Sequence, residues 1–358
     1  MLKEKQITRF DNLDGLRAIG CLGIIAMHIK ANADYQTSSY IYNNMVSTWT
    51  VFVYLFLIIS GFGMFCGYYE KIKNREIDIN QFYLKRYKKL LPFFAFLLVI
   101  DVVMERSLDH LIEAFTELTM IFGLLPNNNP NAIGVSWTLG VIFLFYMLMP
   151  FFVFLCYNRI RALLSLAVSV VLVYFCDIYY FTDKFVVDSF IPRHSFLYCA
   201  PYFLAGACIY LYRNEIIGFV KRFRWLVLAL NIALTVLYYM TPIGITGVFM
   251  TLKHTVLFVC WVGYFISFDS KALQLKPLRF IGGISMEMYL AQMVVFRALE
   301  KVGLLYIFGK GMISFLFIFV LTVAGLIAFI CTYNFCFNKI KSFFSKKTAA
   351  RRTANEKQ

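Results

Sequence analysis

Hydrophobic residues in this chain run in long stretches with little polar interruption. Ten apolar runs can be marked, at about 13–31, 49–69, 87–105, 137–157, 161–181, 195–213, 223–240, 247–268, 280–304 and 312–338. Each is close to the roughly 20 residues with which a helix crosses a hydrocarbon core about 30 Å thick. Barrel strands would instead alternate polar and apolar positions, so continuous runs predict helices. The expected fold is all-α, a polytopic membrane protein of about ten transmembrane helices. A shorter run, Leu111 to Leu125, would span about 22 Å as a helix and carries Glu113 and Glu117 four apart on one face. It is expected to lie on the outer surface or to dip into the protein.

Polar positions between the runs set the orientation. Alternate segments, beginning with the one that holds Lys3, Lys5 and Arg9, contain 26 of the 35 lysines and arginines; the other set contains Arg106, Lys184, Arg193 and Lys310. The positive-inside rule then makes both termini cytoplasmic. This distribution accounts for the net charge of +15, which gives no reason to invoke nucleic acid. With 60% hydrophobic and 15% charged residues, the composition is that of an integral membrane protein. No linker or repeat divides residues 10–338, which read as one transmembrane domain, and residues 339–358 read as a basic cytoplasmic tail.

Nine scattered cysteines, without CxxC spacing, read as small apolar residues, and no metal site is expected. Lys3, Lys5 and Arg9, the run from Ala18 to Met27 and Ala31-Asn32-Ala33 imitate a secretory signal. A signal core rarely contains a histidine, and removal of this segment would break the charge alternation, so it is read as the first span. Two outer segments are long enough to cover a cavity mouth: Glu105 to Ser136, with its tract Pro126-Asn127-Asn128-Asn129-Pro130, and Asp177 to His194. A surface loop rich in turn residues explains the tract equally well.

Candidate chemistry begins in the first run, in LDGLRAIGCLGIIAMHIK. Arg17 and His28 are eleven residues apart, about three helical turns and about 16 Å, so both leave the same face of the helix. Ionisable residues within a span mark a functional site by default. A snorkelling Arg17 paired with Asp14, and a His28 bonded to a neighbouring helix, are the structural alternatives.

These residues carry a family resemblance. Arg17, ten residues and His28 within the phrase LDGLRA resemble the signature of the acyltransferase-3 membrane proteins. Ser60-Gly61-Phe62, Phe82 to Arg86 with Leu91-Pro92, Ser136-Trp137-Thr138-Leu139 with Phe145-Tyr146 and Pro150, and Gly283-Ile284-Ser285 with Met288-Tyr289-Leu290 resemble its later motifs in the same order. The resemblance covers about residues 10–338. It implies transfer of an acyl group, most often acetyl, from cytosolic acyl-coenzyme A to a sugar hydroxyl of a cell-envelope glycan, in the plasma (inner) membrane. Acyl-coenzyme A is then a donor substrate and no bound cofactor is expected. The partners implied are that donor, the glycan acceptor, the lipid bilayer and glycan-assembly proteins.

The resemblance gives Arg17 and His28 the catalytic roles, and their chemistry agrees. A neutral imidazole can take a hydroxyl proton as the oxygen attacks a thioester. A guanidinium suits a phosphate or a developing oxyanion. Lys85, Arg86, Lys88 and Lys89 form a basic cluster that suits the polyanionic donor, although topology explains each of them singly. Trp137 and Tyr146 are further candidates from the shared segment.

The chain departs from the family pattern at Ile142, where glutamate is common, and at Gln292, where histidine is frequent. Glu287 and Arg297 in the ninth run and Lys253 and His254 in the eighth are the intramembrane polar residues that stand as compensating candidates, Lys253 and His254 lying nearer the expected depth of His28, and Gln292 itself is retained as one. Glu287 and Gln292 point about 140° apart on a helix, so Glu287 cannot replace a side chain at 292. Two other functions remain open: a multispan transporter or exporter using the same cavity, and a non-catalytic partner in envelope assembly.

Overall fold

A computed structural model describes residues 10–120, 122–124 and 132–355. The described residues form helices and connecting turns without a strand. The tract at 126–130 lies outside them. The first helix, α1 (Asp11–Asn32), is followed by a π and 3-10 segment, Ile41 to Val51, that leads without a break into α2 (Phe52–Lys73). Next come α3 (Ile79–Glu105), α4 (Leu108–Leu118), α5 (Trp137–Met147), α6 (Met149–Leu155) and α7 (Arg159–Phe175). The second half holds α8 (Phe196–Leu211), α9 (Arg213–Arg222), α10 (Arg224–Met240), α11 (Val248–Phe265), α12 (Lys276–Gly283), α13 (Ser285–Lys301) and α14 (Met312–Asn355).

Each of the ten apolar runs falls on a helix. Four helical stretches are both long and apolar enough to cross a membrane: Ile41–Lys73, Arg159–Tyr180, Val248–Phe265 and Met312–Phe343. Counting the bent pairs α5/α6 and α8/α9 as one span each gives up to six. The remaining runs fall short for identifiable reasons. The α10 helix is apolar but has 17 residues, and α1, α3 and α13 carry Asp, Glu, Lys and Arg. The α5/α6 bend, 62° at Leu148, is followed by Pro150, whose missing N–H cannot continue the helical ladder.

Helices α1 and α2 form the centre. In the stretch Ile41–Lys73 72% of the apolar window is buried, against 22% in Arg159–Tyr180, which lies at the periphery. The α2 and α8 helices approach at two glycines. A methyl added at Gly61 would stand 2.2 Å from the Phe203 carbonyl oxygen, and one at Gly206 would stand 2.2 Å from that of Ile58. Small residues at a helix crossing let backbones pack where lipid offers no hydrophobic drive for association. The α1 entry is held the same way: methyls at Gly15 and Gly282 would strike the backbone carbonyls of Leu273 and Asp14.

Polar side chains fix both ends of α1. Buried Asn12 donates to the carbonyls of Phe265 and Phe268 and accepts from Ser270 N and from Gln274 Nε2, which ties the loop after α11 to the start of α1. At the other end Asn32 donates to the His28 carbonyl at 2.9 Å and accepts from Arg297 Nη2 at 3.1 Å. Lys30 donates to the carbonyls of Tyr42 and Asn43 and to Ser47, which anchors the segment that leads into α2.

The short run expected at the surface forms α4, capped by Ser107, whose hydroxyl accepts from His110 N. Leu108, Leu111, Ile112 and Phe115 are exposed along it. Glu117 is 3% exposed; it turns inward and accepts from the amides of Ala132 and Ile133 at 3.1 and 3.4 Å. Burial pushes this carboxyl up to about 7.

Candidate active site

Three cavities follow one another along α1. The first, about 410 Å³, lies among α1, α2 and α3 and is lined by Arg17, Ser60, Tyr68, Lys71, Lys85, Arg86, Lys89 and Tyr146 among others. It is strongly basic. The second, about 230 Å³, shares Arg17, Ser60, Lys89 and Tyr146 with the first and adds Asp14, Thr138, Ile142, Glu287 and Tyr289. The third, about 190 Å³, is lined by His28, Thr50, Trp137, Arg193, His194 and Tyr289 with Val53, Gly134, Val135 and Ile191. Tyr289 is common to the second and third.

Helical spacing explains the arrangement. The Arg17 and His28 side chains leave one face of α1, about 16 Å apart along its axis, and so serve different chambers of one row. Arg17 Nη1 meets Asp14 Oδ1 at 3.2 Å one turn away. That pairing was one of the structural alternatives, yet Arg17 lines both the first and second cavities as well. His28 lines the third, and its ring makes no hydrogen bond to another described residue.

Arg86 is held by aromatic groups: it donates to the Tyr68 hydroxyl and stands 4.8 Å from the Tyr68 ring centre and 5.6 Å from that of Tyr146. Both tyrosines come from other helices, so the guanidinium is fixed at the wall it shares with Lys85 and Lys89. Lys88, on the exposed side of α3, lines none of these cavities.

The partition between the second and third cavities is a hydrogen-bonded pair. The Tyr289 hydroxyl and Thr138 Oγ1 are 2.8 Å apart, and both side chains are buried. Trp137, the neighbour of Thr138, stacks on His194 with ring centres 4.6 Å apart and planes at 17°. The Arg193 guanidinium also lies over the indole, 5.4 Å from its centre, and donates to Thr50 Oγ1 at 2.8 Å.

Three candidates from the sequence stand away from this row, for reasons of packing. His254 is fully buried between α2, α8 and α10, stacked on Tyr54 at 5.1 Å with Nδ1 3.4 Å from the Tyr202 hydroxyl. Lys253 donates to the Pro242 carbonyl at 2.8 Å and lies over the Tyr238 ring, closing the turn between α10 and α11. Gln292 is 1% exposed and donates to the Tyr289 carbonyl three residues back at 2.9 Å, so its amide braces α13, and it lines none of these three cavities. Glu287, on the opposite side of α13 from Gln292, lines the second cavity together with Ile142.

Arg193, Tyr289, Thr138 and Thr50 are lining residues that sequence reasoning did not single out as site groups. Arg193 had a signal, since it was one of four basic residues in the outer segments and stands beside a histidine. Thr138 and Tyr289 stand within the motif phrases that carry the family resemblance, and Thr50 has no signal in the sequence that distinguishes it from core.

A family model described as an acyltransferase domain matches residues 10–332. No curated protein and no solved structure shows significant similarity to the chain. Among the described residues no group of His, Cys, Asp and Glu is arranged to hold a metal ion.

Proposed function

Since the chain belongs to the acyltransferase-3 family and is a membrane acyltransferase, we propose that it moves an acetyl group from cytosolic acetyl-coenzyme A to a hydroxyl of a cell-envelope polysaccharide or its lipid-linked precursor. The observation that carries this reading is the row of cavities that joins a basic mouth to a histidine chamber across one tyrosine. A polyanionic donor suits the mouth, where Arg17, Lys85, Arg86 and Lys89 converge. The basic excess at this end supports a cytoplasmic mouth in the plasma membrane.

Arg17 lies about 16 Å along the helix from His28, so it serves the donor and not the reacting carbonyl. The pantetheine arm passes the second cavity and delivers its thioester across the Tyr289 partition to the histidine chamber. There the neutral His28 imidazole takes the proton of the acceptor hydroxyl as its oxygen attacks the thioester carbonyl carbon. The C–O bond forms, the C–S bond breaks, and the imidazolium returns its proton to the departing thiolate. The lining residues include no cysteine, Ser60 and Ser285 line the inner cavities away from His28, and Thr50, the hydroxyl that shares the chamber with His28, accepts from Arg193 Nη1 at 2.8 Å. Direct transfer therefore needs no acyl-enzyme step.

The test is transfer of labelled acetyl from acetyl-coenzyme A to glycan in inverted membrane vesicles, comparing the wild type with His28→Ala and Arg17→Ala. His28→Ala is expected to abolish transfer while coenzyme A still binds, and Arg17→Ala to weaken coenzyme A binding. Full transfer by His28→Ala would remove the proposed base.

A further inference from the structure

The three cavities differ in charge. In the second, Arg17 and Lys89 face Asp14 and Glu287. In the third, the described lining contains a guanidinium and two imidazoles and no carboxylate. Arg193 makes no ion pair among the described residues. Its Nη1 donates to Thr50, its plane lies over Trp137, and its Nε is buried without a hydrogen-bond partner. A half-buried guanidinium against an indole, with its Nε–H buried and unpaired, costs free energy that an anion in the adjoining space would offset. Its planar fork of donors matches a carboxylate or phosphate in a bidentate pair.

The chain holds Arg193 firmly in that orientation. It stands in a single 3-10 turn, Pro192 to His194, whose first residue fixes the backbone and whose last stacks on Trp137. The Arg193 carbonyl accepts from Cys199 Sγ at 3.2 Å in the first turn of α8. The His28 ring lines the same small space, so an anionic group held at Arg193 sets the distance of its neighbouring hydroxyls from the imidazole.

We propose that Arg193 is an acceptor-binding residue and that the acceptor carries an anionic group, a carboxylate or a phosphate ester, close to the hydroxyl that is acylated. This assignment rests on the acyltransferase reading above and narrows its substrate class. A role as donor to the thioester oxyanion makes a different demand, because it would affect every acceptor equally.

The experiment measures binding of methyl β-glucuronide, glucose 1-phosphate and methyl β-glucoside to the purified full-length protein in phosphatidylcholine nanodiscs, for the wild type, Arg193→Gln and Arg193→Lys. Coenzyme A binding is measured on the same samples. One or both charged sugars are expected to bind the wild type at least tenfold tighter than the neutral glucoside. Arg193→Gln should erase that preference, and Arg193→Lys should keep part of it. Which charged sugar is preferred distinguishes carboxylate from phosphate. Gly134→Trp, which places an indole at the wall of the chamber where an added Cβ meets nothing within 4 Å, should block the charged sugar and leave coenzyme A binding unchanged.

Equal binding of charged and neutral sugars by a wild type that binds coenzyme A would overturn the proposal and leave the acyltransferase reading intact. Binding of neither sugar, with competition at the chamber appearing only when phosphatidylglycerol is added, would assign Arg193 to a lipid headgroup and also overturn it. Absence of coenzyme A binding in folded wild type would instead count against the donor reading itself. In the transfer assay, Arg193→Gln should raise KM for the charged acceptor tenfold or more at similar kcat; an equal fall in kcat for charged and neutral acceptors would make Arg193 an oxyanion donor.

Discussion

Removing the hydroxyl of Tyr289 separates a gate from a chemical group. That hydroxyl and Thr138 Oγ1 are 2.8 Å apart with both side chains buried, and Tyr289 lines both the second cavity and the His28 chamber, which makes the pair the proposed partition between them. A neutral hydrogen bond of this kind contributes about 0.5–1.5 kcal/mol net. If the partition must open for the thioester to pass, the bond exists in the closed state and is lost in the open one. Tyr289→Phe then weakens the closed state alone, and the open-to-closed ratio rises by about 2- to 13-fold, since 1.4 kcal/mol corresponds to about tenfold. Release of free thiol from acetyl-coenzyme A should therefore stay level or rise by up to about tenfold, and spontaneous hydrolysis of the donor should rise with it. Thr138→Val should act in the same direction, and the double variant should add little to either single change, because both remove one bond. A hundredfold loss of turnover in Tyr289→Phe, with Thr138→Val silent, would refute the gate and make the phenol a participant in the chemistry.

Three further outcomes follow from other parts of the molecule. Glu117 carries a carboxyl raised from 4.5 to about 7 by burial, so its contribution to stability is fully present below about pH 4.5 and is lost as pH rises through about 7; at about 1.4 kcal/mol per unit the total is about 3 kcal/mol. Melting of the purified protein should fall over that window, and Glu117→Gln should flatten the profile; a wild-type profile already flat there would contradict the burial argument. Gly206→Ala forces a methyl to 2.2 Å from the Ile58 carbonyl and should cost about 1–3 kcal/mol or prevent folding, whereas Gly67→Ala, with no atom within 4 Å of the new methyl, should be neutral or stabilising by up to about 1 kcal/mol; equal melting temperatures for the two would show that α2 and α8 do not meet as described. Lys85→Gln and Lys89→Gln should each weaken coenzyme A binding several-fold at low salt and less at high salt, while Lys88→Gln, outside the cavities, should leave it unchanged.

Sequence reasoning reached the helices well and the cavities only in part, for a physical reason. Long apolar runs and the eleven-residue spacing of Arg17 and His28 are one-dimensional signals, because a helix converts spacing along the chain into a face. Contacts between helices have no such signal. Whether His254 or Arg193 shares a chamber with His28 depends on how α8, α11 and the turn before α8 pack against α1, and the sequence offers His254 as a candidate while Arg193 stands only as one of four basic residues in the outer segments. Lys253 and His254 were favoured by depth alone; packing turned His254 into a tyrosine cluster and Lys253 onto a turn. Helix count was affected in the same way: ten runs became helices, but α1, α3 and α13 carry the charged groups that line or brace the cavities, which lowers their apolarity below that of a simple span.

The same reasoning bears on the two departures from the family pattern, which are not equivalent. Ile142 is 1% exposed and lines the second cavity, so a carboxylate at this position would have faced Arg17 and Lys89. Glu287 lines that cavity from α13, and the chamber therefore keeps two carboxyl groups, Asp14 and Glu287, against its two basic side chains. Gln292 lies on the other side of α13, buried, with its Nε2 bonded to its own helix, and lines none of the three cavities. If Glu287 supplies the charge that Ile142 omits, Glu287→Gln should lower transfer by tenfold or more while Gln292→Leu, close in volume, leaves it within about threefold. The vesicle assay already described separates the two, and a silent Glu287→Gln would mean that the donor cavity works without balancing its cations. Because Arg17 keeps Asp14 at 3.2 Å in either case, such a silent result would also limit the second carboxylate to packing and leave Asp14 as the group that orients Arg17 toward the donor.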